Sequence, residues 1–396
     1  MSDLLDKLTN ERFQGFIRAN ENADITKLLL TGNKPDVDIK LAAAQILSKR
    51  KSKGKLTSWL GVEGIVLPPP LSIEQASSDT TSDYKAHLIN GNHLVDLTGG
   101  MGIDTLAFSN QFALVTYVEQ DSWLCEVFDY NVKKLRKNNI VIINQRAEEF
   151  LSSFNDKAVF YIDPARRDDL KKKVFRFDDC TPDLTKLLFF LKEKAYRLLV
   201  KASPMIDITE GVRALKYVEE VHILSIKNDC KEVLFDLKFE QPNENPLVKT
   251  VNFTDGPLES FQFDLKQDQM VPALLSRSKK YLFEPNSSVL KGGGYSSIGH
   301  AFPISKLHQN THLFTSDKLI EGFPGRKFII VKDSVSKEDL NVLLQPKKAN
   351  IITRNYPLKP EEIKKKYKIK DGGDYYLIGY RDLDNKPKLL IALRLN

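Results

Sequence analysis

The chain has 396 residues, 41% of them hydrophobic and 28% charged, enough for roughly two to four domains with a sizeable core. Its formal net charge is +7, and its 6 His and 3 Cys show neither a C-x-x-C pair nor ligand spacing, which excludes a disulfide framework and a zinc site as organising elements. No run approaches the ~18 apolar residues of a membrane span, and Met1-Ser-Asp-Leu-Leu-Asp6 has no basic or apolar leader character, so a cytoplasmic protein without metal or membrane partner is expected.

Residues 1 to about 90 lack strand alternation and read as helical. Within them Ile39, Ala42, Ala43, Ile46 and Leu47 share one helix face. Leu67-Pro-Pro-Pro70 breaks that pattern as a linker. A polar segment, Leu71 to Leu88, precedes the first core strand.

The most informative stretch is His93-Leu-Val-Asp-Leu-Thr-Gly-Gly-Met-Gly-Ile-Asp-Thr-Leu-Ala107. A short run bearing Leu94, Val95 and Leu97 suits a strand covered on both faces. Gly99, Gly100 and Gly102 then give the backbone freedom to turn and to approach a ligand. Asp104 is placed to cap the helix that follows. A dinucleotide fingerprint, G-x-G-x-x-G, is absent, because Thr105 holds its third glycine position. S-adenosylmethionine has no pyrophosphate and needs instead close backbone contact and an acid for its ribose hydroxyls. Leu114-Val-Thr-Tyr-Val-Glu119 supplies a hydrophobic run ending in such an acid, seventeen positions after Gly102, where a ribose partner belongs. Taken alone, Glu119 is equally a strand-end carboxylate facing water. A third buried run, Val159 to Ile162, closes in Asp163-Pro164. Proline cannot donate to a sheet ladder, so the strand ends there.

With these three elements in order, the chain resembles the class I S-adenosylmethionine-dependent methyltransferases. The resemblance implies an α/β fold with a Rossmann-like sheet. It assigns Asp96, Thr98, Gly99, Gly100, Gly102 and Asp104 to the cofactor loop and Glu119 to the ribose. It assigns Asp163 and Pro164 to the D-P-P-x active-site motif, here Asp163-Pro-Ala-Arg166. Two positions depart from the pattern. Thr98 stands at the first glycine of the loop, and Arg166, followed by Arg167, stands where amino-methylating enzymes carry an aromatic residue. An arginine stacks on a base or pairs with a phosphate, so Arg166 and Arg167 are expected to bind substrate. Relatives with a D-P-P-R motif that methylate pyrimidine carbon place a nucleophilic Cys just after the fifth strand. Here Tyr196 to Ala202 is followed by Ser203-Pro204, and Cys125, Cys180 and Cys230 lie elsewhere. Many such enzymes also run a helix across the cofactor pocket. Gln75, Ser78 and Thr81 are placed to reach it, or else to face water.

Thr181-Pro-Asp-Leu184 carries helix-start signals, with Thr181 at the N-cap, and Leu184, Leu187, Leu188 and Leu191 follow at helical spacing. Val221–Ile226 and Glu232–Phe239 read as late strands, and Gln241-Pro-Asn-Glu-Asn-Pro246 as a turn or linker. Near the end, Lys327–Val331 and Asn350–Asn355 read as strands, Pro360–Tyr367 as a helix, and Tyr375–Tyr380 and Lys388–Leu395 as strands. With Phe323-Pro-Gly-Arg326 and Asp371-Gly-Gly373, this region resembles a bacterial methyltransferase family whose core is followed by a ferredoxin-like region and a THUMP-like domain. The resemblance implies domains at 1–90 (helical), 91–240 (methyltransferase core), 241–325 (ferredoxin-like) and 326–396 (THUMP-like, RNA-binding).

Charge is consistent with an RNA partner. The last 71 residues hold 17 Lys and Arg against 9 Asp and Glu, including the run Lys364-Lys-Lys-Tyr-Lys-Ile-Lys370. Arg166, Arg167, Lys171, Lys172, Lys173 and Arg176 form a second cluster beside the active-site motif. The expected activity is methyl transfer from S-adenosylmethionine to RNA, with a silent RNA-binding scaffold and a small-molecule or protein methyltransferase as alternatives.

Overall fold

A computed structural model describes residues 2–32, 37–166 and 176–395. The chain forms two compact units, Met1–Lys201 with Leu237–Gln241, and Ala202–Asp236 with Pro242–Asn396.

The first unit opens with helices. In Ile39–Ser52 the predicted apolar face is buried at Ile39, Ala42, Ala43 and Ile46. Gln45 and Ser48 are buried beside it because they have fixed partners. Gln45 Nε2 donates to Leu67 O at 2.6 Å, and Ser48 Oγ to Pro68 O at 2.7 Å. The predicted linker at Leu67–Pro70 is therefore pinned to this helix, since its carbonyls satisfy polar groups that burial would otherwise penalise.

Five parallel strands follow: β1 (His93–Asp96), β2 (Leu114–Glu119), β3 (Ile140–Asn144), β4 (Ala158–Ile162) and β7 (Ala195–Ala202). Between β4 and β7 lies a small antiparallel pair, β5 (Ala165–Arg166) with β6 (Cys180–Thr181). The parallel strands run in the order β7-β4-β1-β2-β3. All five β4 residues are buried, as expected for a strand covered on both faces. The chain winds outward in both directions from β1 and β4, and such a switch point leaves a crevice beyond the strands' carboxyl ends.

The glycine turn fits this crevice for a reason beyond ligand approach. A Cβ on Gly99 would sit 2.2 Å from the Tyr117 ring, and one on Gly102 would sit 2.0 Å from the Phe128 ring. Aromatic packing beneath the loop thus demands glycine at both. Gly102, at φ +80°, is also the N-cap of the helix Ile103–Phe108, so the expected capping by Asp104 does not occur. Its carboxylate turns to other partners. Likewise Asp183, not Thr181, caps the helix Leu184–Lys194, accepting from Thr185 N.

In the second unit, β8 (Val218–Ile226), β9 (Asp229–Leu237), β10 (Leu247–Phe253) and β11 (Glu259–Asp264) lie in the order β11-β10-β8-β9. β10 pairs parallel with β8 and antiparallel with β11. The residues after Gln241–Pro246 therefore extend the sheet that holds the late pair.

A seven-stranded sheet completes this unit: β12 (Tyr281–Pro285), β13 (Ser305–His308), β14 (Thr311–Ser316), β15 (Gly325–Lys332), β16 (Asn350–Arg354), β17 (Tyr375–Arg381) and β18 (Pro387–Leu395). Its order is β13-β14-β12-β15-β18-β17-β16. Leu282, Phe328, Ile378 and Leu390 are fully buried in its core. β16, the helix Pro360–Tyr367 and β17 form a parallel crossover. Thr311 Oγ1, on β14, donates to Arg381 O, at the end of β17, at 3.0 Å, so the sheet curls until its two flanks meet.

Candidate functional site

A cavity of about 370 Å³ lies at the carboxyl ends of the first unit's parallel strands, within the ~300–1,000 Å³ range of small-molecule sites. Asp96, Thr98, Gly99, Gly100, Gly102, Asp104, Glu119 and Asp163 all line it. Pro164 follows Asp163 without lining the cavity. Arg167 and Lys171–Lys173 lie outside the described residues. Arg166 contributes backbone to β5, and its side chain likewise lies outside them.

Each acid has a distinct environment. Asp96 is 1% exposed. Its Oδ1 accepts from Thr98 N at 3.1 Å and its Oδ2 from Thr105 Oγ1 at 2.6 Å. Desolvation pushes its pKa up to about 7 against those two hydrogen bonds. Asp104 sits over a fully buried Lys85 at 3.1 Å and accepts from Ser77 Oγ at 2.8 Å and Tyr161 OH at 2.7 Å. Burial acts to raise the Asp104 pKa, but Lys85, Lys201 and these hydroxyls together hold it below the usual value. Glu119 is fixed by two backbone donors, Gly100 N on Oε2 and Asp121 N on Oε1, each at 2.9 Å. The strand-end acid is thereby aimed at the glycine loop.

Asp163 is held by two ties. Its N–H donates to Thr98 Oγ1 at 2.7 Å, and its Oδ2 accepts from Lys201 Nζ at 2.5 Å. Desolvation raises the Asp163 pKa, with Lys201 opposing. Thr98, the departure from the glycine pattern, thus joins the loop after β1 to the loop after β4.

Sequence reasoning missed several lining residues. The polar segment before β1 does reach the cavity, through Ser72, Ala76 and Ser77, while the Gln75 side chain lies outside the described residues. Ser78 and Thr81 instead close a capping box at the start of the helix Asp79–Leu88. Lys201 carries a visible signal, a cation within the buried run of β7, one residue before its end. Gln145 and Ala147 follow β3, a strand absent from the sequence motifs. None of the cysteines lines the cavity. Burial pushes the Cys125 and Cys230 thiols up to about 11, away from the thiolate form a nucleophile needs. Among the described residues there is no metal-binding cluster of His, Cys, Asp or Glu, and no helix is long and apolar enough to cross a membrane.

Comparison with known proteins adds to this geometry. A family described as a ferredoxin-like domain matches residues 281–324, and a THUMP domain-like family matches residues 329–394. The chain is similar, at 29% identity and a TM-score of 0.84, to the crystal structure of a protein from Porphyromonas gingivalis W83 that is provisionally assigned as a methyltransferase. That match covers 97% of this chain and 98% of the other. Partial matches include M. capricolum TrmK bound to S-adenosylhomocysteine, at 12% identity, 41% and 69% coverage and a TM-score of 0.31. Another is SMU.1697c from Streptococcus mutans, at 12% identity, 40% and 96% coverage and a TM-score of 0.29. No curated protein matches. The chain thus has a Rossmann-like sheet of the kind found in methyltransferases, followed by a ferredoxin-like and a THUMP-like domain.

Proposed function

We propose that the protein is an S-adenosylmethionine-dependent methyltransferase acting on RNA. One observation carries the cofactor assignment: eight residues from three separate sequence motifs line a single cavity at the sheet's switch point. The lining also suits the ligand's charge. The lining acids Asp104, Glu119, Glu148 and Asp163 outnumber the cations set against them, Lys201 in the lining and Lys85 on Asp104, and this acidic excess favours a sulfonium cation.

Glu119 keeps lone pairs for two ribose hydroxyls while Gly100 and Asp121 fix its orientation. Leu124, Gln145 and Ala147 flank the same end and suit an adenine. Ser77, Asp104 and Tyr161 form a polar end suited to an amino-acid moiety. The bound cofactor supplies an already activated methyl group, so the chain's own work is alignment. Asp163, tied at its N–H and its carboxylate, orients the acceptor atom, and Arg166 and Arg167 bind the substrate around it. The THUMP-like domain and the basic C-terminal region support RNA as that substrate.

Isothermal titration of the purified protein with S-adenosylmethionine tests the cofactor, and absence of binding by folded protein sinks the enzyme reading. Label transfer to total RNA from a strain lacking the gene tests the substrate. Cofactor binding without transfer to RNA would favour a small-molecule or protein acceptor.

A further inference from the structure

The motif Phe323-Pro-Gly-Arg326 has no part in the cavity, yet the second unit is built closely around it. Gly325 lies opposite Pro285 in the β12–β15 pair at φ +151°, and a Cβ there would fall 2.2 Å from Glu284 O. Only glycine lets the two strands close at this point, and the closure puts Arg326 directly opposite Glu284. Glu284 is 1% exposed. Arg326 Nε donates to its Oε2 at 2.6 Å, and Arg354 Nη2, from the end of β16, pairs with its Oε1 at 2.7 Å. β16 is the far edge of the sheet, so Arg354 crosses the curl to reach this carboxylate.

One buried carboxylate needs one cation. Here it holds two guanidinium groups, one on each oxygen, and leaves a local excess of one positive charge. Both arginines remain partly open to solvent, at 27% and 36% side-chain exposure. Glu284 Oε1, Arg354 Nε and the nearby His312 Nδ1 are buried polar atoms with no hydrogen-bond partner among the described residues, so Arg354 meets Oε1 as an ion pair alone. His312 stacks on Tyr295 at 3.9 Å, and Lys306 Nζ lies 4.6 Å from the centre of that ring. The field there is positive: after burial itself, Lys306 and Arg354 help push the His312 pKa down to about 4. Asp268, the acid that acts on Lys306 among the described residues, accepts from Ser297 N at 2.6 Å.

We propose that Arg326 and Arg354, set side by side on Glu284, form a phosphate-binding site of the ferredoxin-like and THUMP-like region. Guanidinium forks fixed by a shared carboxylate are pre-organised for an oxyanion in a way that mobile lysines are not. The lysine run differs in kind, since Lys364, held by Glu361 and Asp371 at 2.7 Å each, presents a point charge without a fork. That the phosphate is carried by RNA rests on the proposed function; the oxyanion itself follows from the arginine pair.

The test is binding of full-length protein to a 5′-hydroxyl RNA hairpin across a salt series, with circular dichroism to verify folding. Arg326→Gln and Arg354→Gln are each expected to weaken binding by roughly ten-fold or more and to flatten the salt slope by about one unit. Arg354→Lys keeps the charge and loses the fork; it is expected to bind more weakly with the slope retained, and it serves if the glutamine forms do not fold. Unchanged affinity and slope in these folded variants overturn the arginine site and leave the RNA reading standing. If the parent binds no RNA but inorganic phosphate raises its melting temperature, and the variants lose that rise, the site is a free-phosphate site and the RNA reading fails. A parent that responds to neither probe sinks both.

Discussion

At the scale of single residues, the cavity separates acids that look alike in sequence. Glu119 is oriented by two backbone N–H groups, so under the proposed function Glu119→Ala removes a pre-aimed pair of acceptors for the ribose. We expect a loss of about 1.5–3 kcal/mol of S-adenosylmethionine affinity, read by isothermal titration; parent-like binding would show that the ribose lies elsewhere. Asp96 serves stability in the opposite sense. Its folded pKa is raised to about 7, so between about pH 4 and pH 7 the unfolded chain gives up this proton while the folded chain keeps it. Asp96 therefore costs stability progressively as pH rises through that window. Asp96→Asn removes the titration and can still accept from Thr98 N. Relative to the parent, the variant should gain about 2–4 kcal/mol between pH 4 and pH 7. Urea unfolding near pH 5 and near pH 7.5 reads this, and a pH-independent difference would place the proton elsewhere.

At the scale of elements, the loops after β1 and β4 are joined by a hydroxyl. Thr98→Gly restores the glycine common in the cofactor loop but removes the tie to Asp163 N. Methyl transfer to RNA should fall about five-fold, the worth of one neutral hydrogen bond, while cofactor affinity stays close to the parent and Thr98→Ser retains activity. Equal losses in binding and turnover would assign Thr98 to the cofactor alone. The elements also show what local sequence can carry. β1, β2 and β4 are legible because each is an apolar run that ends in an acid, and Asp96, Glu119 and Asp163 are found at those ends. Lys201 stands one residue before the end of such a run, yet its meaning depends on β7 lying beside β4, an adjacency made by a crossover that no local pattern encodes. Ser77 reaches Asp104 across 27 positions for a similar reason. The parallel pairing of β10 with β8 is illegible too, because register is a property of two strands, and each strand alone shows only which residues are apolar.

At the scale of the molecule, the basic C-terminal region is best tested by substitution. Lys365, Lys366, Lys368 and Lys370 are exposed around the helix Pro360–Tyr367. Changing all four to Gln should flatten the salt dependence of RNA binding and leave S-adenosylmethionine affinity unchanged, since every residue proposed to hold the cofactor lies within the first unit. An unaltered salt slope would make the run a solvated face. Truncation near Gly325 is no substitute, because it removes β15 to β18, four strands of a seven-stranded sheet.

That shared sheet bears on how such a chain can be assembled and inherited. The ferredoxin-like segment supplies β12, β13 and β14, and the THUMP-like segment supplies the strands beyond. The seam between them runs along the β12–β15 ladder and, across the curl, through Thr311 with Arg381 and Glu284 with Arg354. Parted there, each half would bare a full row of unpaired N–H and C=O groups, an adhesive edge that invites pairing with other chains. The two names therefore describe one heritable cassette. A recombination joint between residues 324 and 329 would deliver neither part in working form, whereas a graft carrying both strand sets would bring its hydrogen-bond ladder with it.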